Sequence, residues 1–459
     1  MFSKKTITAL VTAPISQNVA LIRISGPETY DLIDKIFDHP LPKYPQKKPQ
    51  LVFGNIVNQN KEIIDQVLLL CFYKPHSFTG EDVVEISCHG NLFIVNQILQ
   101  LILENGAELA KEGEFTKQAF FNGKLSLIQA QAINDLIRAP TLSASKLALH
   151  NLNPQTKKRF DKLLEITNKL LKIIATIEVN IDYPEYDGVE YLTGKKALER
   201  LQKIRQELEK LLSLGQQAKI YQEGVKIAIV GKPNVGKSTL LNTFLQEEKA
   251  IVSSLAGTTR DVIEGKCNLK GIPIILLDTA GIRKAKNTVE KIGVSRTQQV
   301  LKKAELIFFL LDNSRTWDQE DAKTWKLIKS KKLIIIINKA DLKKKLNLPD
   351  EILAKNPVSI NAKNGEIKDL EAKVEQLLAK NLINIHSPYP FLSHSWQQSK
   401  LQELTKTIDE IIQALQQEIP LDVVSSDFQT AFYLLKELSG KEYNGELLDI
   451  IFSEFCLGK

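Results

Sequence analysis

The segment Gly231-Lys232-Pro233-Asn234-Val235-Gly236-Lys237-Ser238 constrains this chain more than any other. Its spacing is GxxxxGK[ST]. It follows an apolar run, Lys226–Val230, that reads as a strand, and precedes Thr239–Leu245, which reads as a helix. A strand, a Gly-rich turn and a helix in that order make a phosphate cradle. The glycines let backbone N–H groups turn inward and the helix N-terminus adds partial positive charge. Lys237 can then reach the β and γ phosphates while Ser238 ligates Mg²⁺. Asn234, Val235, Gly236 and Thr239 complete the loop's expected nucleotide contacts.

Further boxes follow in a telling order. Gly257-Thr258-Thr259-Arg260-Asp261 supplies a switch threonine, with Thr259 as the natural second Mg²⁺ ligand. Asp278-Thr279-Ala280-Gly281 ends the strand Pro273–Leu277, where Asp278 can hold the Mg²⁺ shell and the Gly281 N–H can sense the γ-phosphate. Asn338-Lys339-Ala340-Asp341 ends the strand Leu333–Ile337, and Asp341 can accept from N1–H and the amino group of guanine. Adenine offers no such pair, so the base read is guanine. Asn361-Ala362-Lys363 takes the place of the last guanine box, with Asn361 where Ser is usual and the Ala362 N–H still able to serve.

Small GTPases place a water-orienting Gln directly after the second box. Ile282 stands there instead and can neither orient nor deprotonate water. Glu290, on the same switch segment, is the carboxylate within reach.

The remainder of the 459 residues sets the frame for this nucleotide site. Hydrophobic content of 43% and a charged share of 25% suit a folded soluble chain. A net charge of +7 permits an RNA partner without demanding one. Cys71, Cys88, Cys267 and Cys456 lie far apart, which argues against a zinc site or disulfide framework and suits a reducing cytoplasm. No signal peptide and no run long enough to span a bilayer is expected.

Residues 1–120 mix short strands (Val19–Ile24, Gln66–Phe72) with helical stretches such as Leu92–Leu103, the pattern of a small α+β domain. Long helical stripes follow. One runs through Phe160, Leu163, Leu164, Leu170, Leu171, Ile174, Ile177 and Ile181; a second runs through Leu198, Leu201, Ile204, Leu208 and Leu211. Leu401, Leu404, Ile408, Ile411 and Leu415 continue the pattern past the nucleotide domain. The expected fold is therefore multidomain: an N-terminal α+β domain (1–120), an all-α helical bundle in two parts (121–221 and 381–459), and an inserted α/β P-loop GTPase domain (222–380). Two independent helical domains are the alternative to one bundle.

Three segments outside the nucleotide domain carry a family resemblance. They are Phe78-Thr79-Gly80-Glu81-Asp82-Val83-Val84-Glu85 with His89-Gly90, Gly113–Thr116 continuing to Ala119–Leu125, and the terminal Phe455-Cys456-Leu457-Gly458-Lys459. With the inserted GTPase domain, the chain resembles the MnmE (TrmE) family of tRNA-modifying GTPases along essentially its whole length.

The resemblance implies a homodimer that binds a tetrahydrofolate (5,10-methylene or 5-formyl) through Arg23, Glu85, Lys124 and Lys459. From the residues alone, Arg23 and Glu85 could equally be a structural ion pair. The resemblance further implies K⁺ bound by Asn234, Ser253, Leu255 and Thr258, with Ser254, Ala256 and Gly257 in the same nucleotide-contacting loop. Glu290 would orient the attacking water, and Cys456 would have a part in the modification. The implied partners are tRNA and an MnmG (GidA)-type FAD protein, and the product is a carboxymethylaminomethyl-type group at C5 of the wobble uridine. Ala13–Asn18 departs from the family's Gly-rich loop. A regulatory or ribosome-assembly GTPase without folate chemistry is the rival reading, since the nucleotide boxes fit it equally well.

Overall fold

The computed structural model describes residues 5–41, 48–153, 157–183, 190–245, 265–269, 271–278, 300–379, 387–440, 442 and 445–459, with backbone alone for 157–161, Asp278 and Ala379. The chain divides into two compact units, one made of 1–137, 163–193 and 418–459, the other of 138–162 and 194–417.

The first unit is built on a six-stranded sheet in the order β3-β4-β5-β2-β1-β6. The strands are β1 (Ile7–Leu10), β2 (Val19–Ser25), β3 (Gln50–Val57), β4 (Ile63–Phe72), β5 (Val83–His89) and β6 (Glu108–Leu109). All neighbours are antiparallel except β1 and β6. Period-two alternation sends Ile22, Ile24, Leu69, Val84 and Ile86 to one face, where α1 (Thr29–Ile36) and α2 (Leu92–Glu104) cover them. Side chains opposite one another on the second face form a row: Leu51, Leu70, Glu85, Arg23 and Ala9. α3 (Glu114–Phe121) reaches that face, with Phe115 packed on Ile7 and Ala9.

Helical segments complete this unit. Leu163, Ile166, Leu170, Ile173, Ile174 and Ile177 are buried on the helix Lys157–Asp182. Leu171 and Ile181 are instead 43% and 48% exposed, so the buried stripe is narrower than the apolar pattern suggests. Gln429 on the helix Ser425–Ser439 donates to Glu178 at 2.7 Å.

The second unit holds a sheet in the order β12-β11-β10-β7-β9-β8. Its strands are β7 (Val225–Val230), β8 (Gly265–Leu269), β9 (Ile272–Asp278), β10 (Leu306–Asp312), β11 (Leu333–Asn338) and β12 (Val358–Ser359). Every pairing is parallel except β8 with β9. Parallel strands are covered on both faces, which explains why Leu306 to Leu311 are all buried without alternation. Strand order reverses beside β7, so the carboxyl ends of β7, β10 and β11 frame a crevice.

In the same unit the helix before the nucleotide domain, Gly194–Glu223, packs on the helix after it, Ser395–Gln416. Leu201, Ile204, Leu208 and Leu211 are buried on one, and Leu401, Leu404, Ile408 and Ile411 on the other. Arg205 and Asp409 pair across them at 2.6 Å. Replacing a fully buried leucine in this seam with alanine would cost about 2–5 kcal/mol.

Candidate functional site

The crevice at the carboxyl end of β7 is lined by the loop 231–236, which leads into the helix Lys237–Phe244. Two of its glycines are sterically required. A Cβ on Gly231 would lie 2.4 Å from the Leu310 carbonyl oxygen. Gly236 caps the helix at φ +100°, and a Cβ there would meet the Asn338 amide nitrogen at 2.2 Å. Lys237 Nζ donates to the Gly231 and Lys232 carbonyls at 2.9 and 2.6 Å, so the ammonium is already folded across the loop. Ser238 and Thr239 stand exposed in the first helical turn.

Lys232 ties this loop to a second element. Its ammonium lies 2.7 Å from Asp318 and 2.5 Å from Asp321, the two acids of the capping box that opens the helix Gln319–Ile328. Burial alone would lower the Lys232 pKa, but the hydrogen bonds it donates to the two aspartates outweigh that and hold it above the ordinary lysine value.

Asn338 joins the segment Asn361–Lys363 to the phosphate loop. Its Nδ2 donates to the Val235 carbonyl at 2.9 Å, and its Oδ1 accepts the Ala362 N–H at 3.1 Å. Thr243 Oγ1 donates to the Ala362 carbonyl at 2.8 Å. The Ala362 N–H is therefore given to Asn338, and the segment Asn361–Lys363 meets the crevice through that side chain. Asn361 is buried and its backbone pairs in both directions with Glu366. Asp341 and Lys363 are exposed, and Ala340 N donates to the Ile360 carbonyl at 3.1 Å.

Other sequence candidates fall outside the described residues: Ser253, Ser254, Leu255, Ala256, Gly257, Thr258, Thr259, Thr279, Ala280, Gly281 and Glu290. Asp278 is described as the backbone end of β9.

A second polar site lies in the first unit. Arg23 Nε and Nη2 approach Glu85 Oε1 at 2.8 and 2.7 Å, and Arg23 Nη1 donates to the Gly458 carbonyl at 3.2 Å. The rings of Phe78 and Phe115 each lie 5.5 Å from the guanidinium carbon. Gly458 adopts φ +87°, and a Cβ there would press 2.8 Å from the Leu10 carbonyl oxygen, so only glycine seats the tail this closely. Cys456 is half-buried two residues earlier. Lys124 extends to the Pro75 carbonyl at 2.8 Å, and the Lys459 N–H turns back to the Cys456 carbonyl at 3.3 Å. Arg23 and Glu85 are thus an ion pair, and the pair also holds the tail.

Sequence reading missed the Lys232 partners and the Gly458 contact with Arg23. The Asp318-x-x-Asp321 spacing did carry a helix-start signal. Nothing local announces a contact spanning more than 400 residues.

A mostly parallel sheet with a phosphate loop beside its switch point, and a guanine box on the strand two places away, defines a P-loop GTPase domain. Two family profiles match the chain: "GTP-binding protein TrmE N-terminus" over residues 6–124 and "MnmE helical domain" over residues 127–456. The tRNA modification GTPase MnmE of Bacillus licheniformis is 40% identical over 462 aligned residues, covering 99% of this chain and 100% of that protein. The protein of that name from Staphylococcus aureus strain Newman is 38% identical, with 99% of each chain covered. This chain belongs to the MnmE (TrmE) family.

Proposed function

We propose that this chain hydrolyses GTP and couples the cycle to modification of C5 of the tRNA wobble uridine. The observation that carries the reading is the Asn338 bridge between phosphate loop and last box, set in a chain that matches the family end to end. The proposed organisation is a folate-binding and dimerisation domain at 1–120, helices at 121–221 and 381–459, and the G domain at 222–380. The proposed place of action is the cytoplasm. Among the described residues, no helix is long and apolar enough to cross a membrane.

Two described residues of the phosphate loop offer donors suited to the proposed ions. Ser238 offers a hydroxyl, a hard oxygen suited to Mg²⁺, with Thr259 as its companion. Asn234, exposed in the loop at φ +64°, offers a side-chain oxygen for K⁺; the other proposed ligands, Ser253, Leu255 and Thr258, lie outside the described residues. Such cations offset charge on the phosphates. Glu290 orients water in place of the glutamine that Ile282 replaces.

The Arg23 site fits a reduced folate. Both contacts between Arg23 and Glu85 fall on one oxygen of Glu85, and aromatic rings flank the pair, an arrangement suited to a flat polar pterin. The exposed Lys124 ammonium can meet a carboxylate tail, with Lys459 beside the seated Gly458. The folate supplies the one-carbon unit, and Cys456 has a part in the modification. Leu51, Phe53 and Leu68 are 66%, 62% and 39% exposed, and Phe53 lies directly opposite Leu68. That apolar row shares a sheet face with Arg23 and supports a homodimer. An MnmG-type flavoprotein is the proposed partner for the uridine chemistry.

Titration calorimetry of the purified chain with 5-formyl-tetrahydrofolate separates this reading from its rival. A regulatory or ribosome-assembly GTPase would bind guanine nucleotide and no folate.

A further inference from the structure

β10 ends an otherwise wholly apolar run with a charged residue, Asp312, whose side chain is only 2% exposed. A carboxylate is placed there only if its charge is met. Lys339 Nζ lies 2.6 Å from Oδ2, while the Ser314 N–H and hydroxyl donate to Oδ1 at 2.9 and 2.6 Å. Arg315 Nε stands 3.6 Å from Oδ2. Burial alone would raise the Asp312 pKa, but the bonds from Lys339 and Ser314 outweigh it and keep the carboxyl below its ordinary value.

The next residue fastens the same loop through its backbone. Asn313 N donates to the Asn338 carbonyl at 3.0 Å, and Asn313 Nδ2 donates to the Leu342 carbonyl at 2.9 Å. The Asn313 carbonyl accepts from Lys345 and Leu346 at 2.8 and 3.2 Å. The turn carrying Asp341 is thereby held on both sides. Lys339, inside the turn, takes the left-handed conformation at φ +62° and still reaches back to Asp312.

We propose that Asp312 is a positioning residue for the guanine base, acting through Lys339. The inference rests on the guanine-nucleotide reading of Asn338–Asp341. A free lysine side chain samples many rotamers and must be ordered when a ligand arrives. With its ammonium anchored on Asp312, the Lys339 stem is ordered beforehand, leaving an apolar shelf next to Asp341 for the base. Preordering of this kind appears as affinity rather than as chemistry.

The test is a double-mutant cycle on the full chain, read by binding of fluorescent mant-GDP. Asp312→Ala should weaken binding about tenfold, the scale of one lost ordering contact. In a Lys339→Ala background the same change should add less than about a factor of two. KM for GTP should rise in parallel, with kcat altered by less than about twofold. Asp312→Asn keeps an acceptor for Ser314 but removes the charge facing Lys339, and should reproduce most of the loss with wild-type thermal unfolding. Wild-type affinity in Asp312→Asn would overturn the proposal. So would an undiminished tenfold loss on top of Lys339→Ala, which would mean general support of the fold. Failure of the underlying guanine reading has a different signature: the unmutated chain would hold mant-ADP as tightly as mant-GDP.

Discussion

The Asn338 side chain donates to the Val235 carbonyl at 2.9 Å, joining the end of β11 to the phosphate loop 103 residues earlier. This bond makes the proposed base box and the phosphate loop one structural unit. Asn338→Ala leaves the buried Val235 carbonyl and Ala362 N–H without that partner, at about 1–3 kcal/mol for each unsatisfied group. GDP and GTP should both bind at least about tenfold more weakly, measured by mant-nucleotide fluorescence, and the thermal midpoint should fall. Similar losses for GDP and GTP are expected because the bond supports the loop and the proposed base box that both nucleotides would use.

Asp341 is exposed on a turn whose backbone is fixed by Ile360 and Asn313, so its carboxylate is available to a ligand. Asp341→Asn should weaken GTP binding and shift preference to xanthosine triphosphate, whose O2 accepts an amide N–H. Competition between the two nucleotides checks this, and an unchanged preference would remove Asp341 from the base site.

Much of this was legible in the sequence. The phosphate loop is local, since its spacing, its strand and its helix all lie within 20 residues. Strands β7 and β11 form where apolar runs placed them, and the helix begins at Lys237, two residues before the pattern suggested. The helical stripes were legible in period but not in width, because Leu171 and Ile181 look as apolar as their buried neighbours. Asp312 was not legible. Its role depends on Lys339, 27 residues away on another strand end, and parallel pairing through a crossover sets that distance rather than any local period.

Arg23 bridges Glu85 and the Gly458 carbonyl, so the proposed folate site and the tail carrying Cys456 share one side chain. Arg23→Ala and Glu85→Ala should each weaken 5-formyl-tetrahydrofolate binding by at least about tenfold, the scale of a lost buried charge partner. Nucleotide affinity should be unaffected, because the GTP site is in the other compact unit. Calorimetry for the folate and fluorescence for the nucleotide give both readouts on one preparation.

Asn234 is a polar, exposed residue in a conformation that few non-glycine residues adopt, which suits a role toward a ligand. Hydrolysis should be faster in KCl than in NaCl or LiCl at equal ionic strength, and Asn234→Ala should abolish the difference. Equal rates in all three salts would exclude the proposed K⁺ site.

The central claim is that GTP turnover by this chain drives modification of tRNA. Lys237, whose ammonium spans the phosphate loop through the Gly231 and Lys232 carbonyls, is the residue through which to test it. The measurement is mass spectrometry of nucleosides from wobble-uridine tRNAs, in cells of the source organism whose own copy carries Lys237→Ala. The account predicts that the variant accumulates to normal levels while the C5 substituent is lost and unmodified uridine appears. An undiminished level of C5-modified uridine, with GTP hydrolysis by the purified variant abolished, would contradict it.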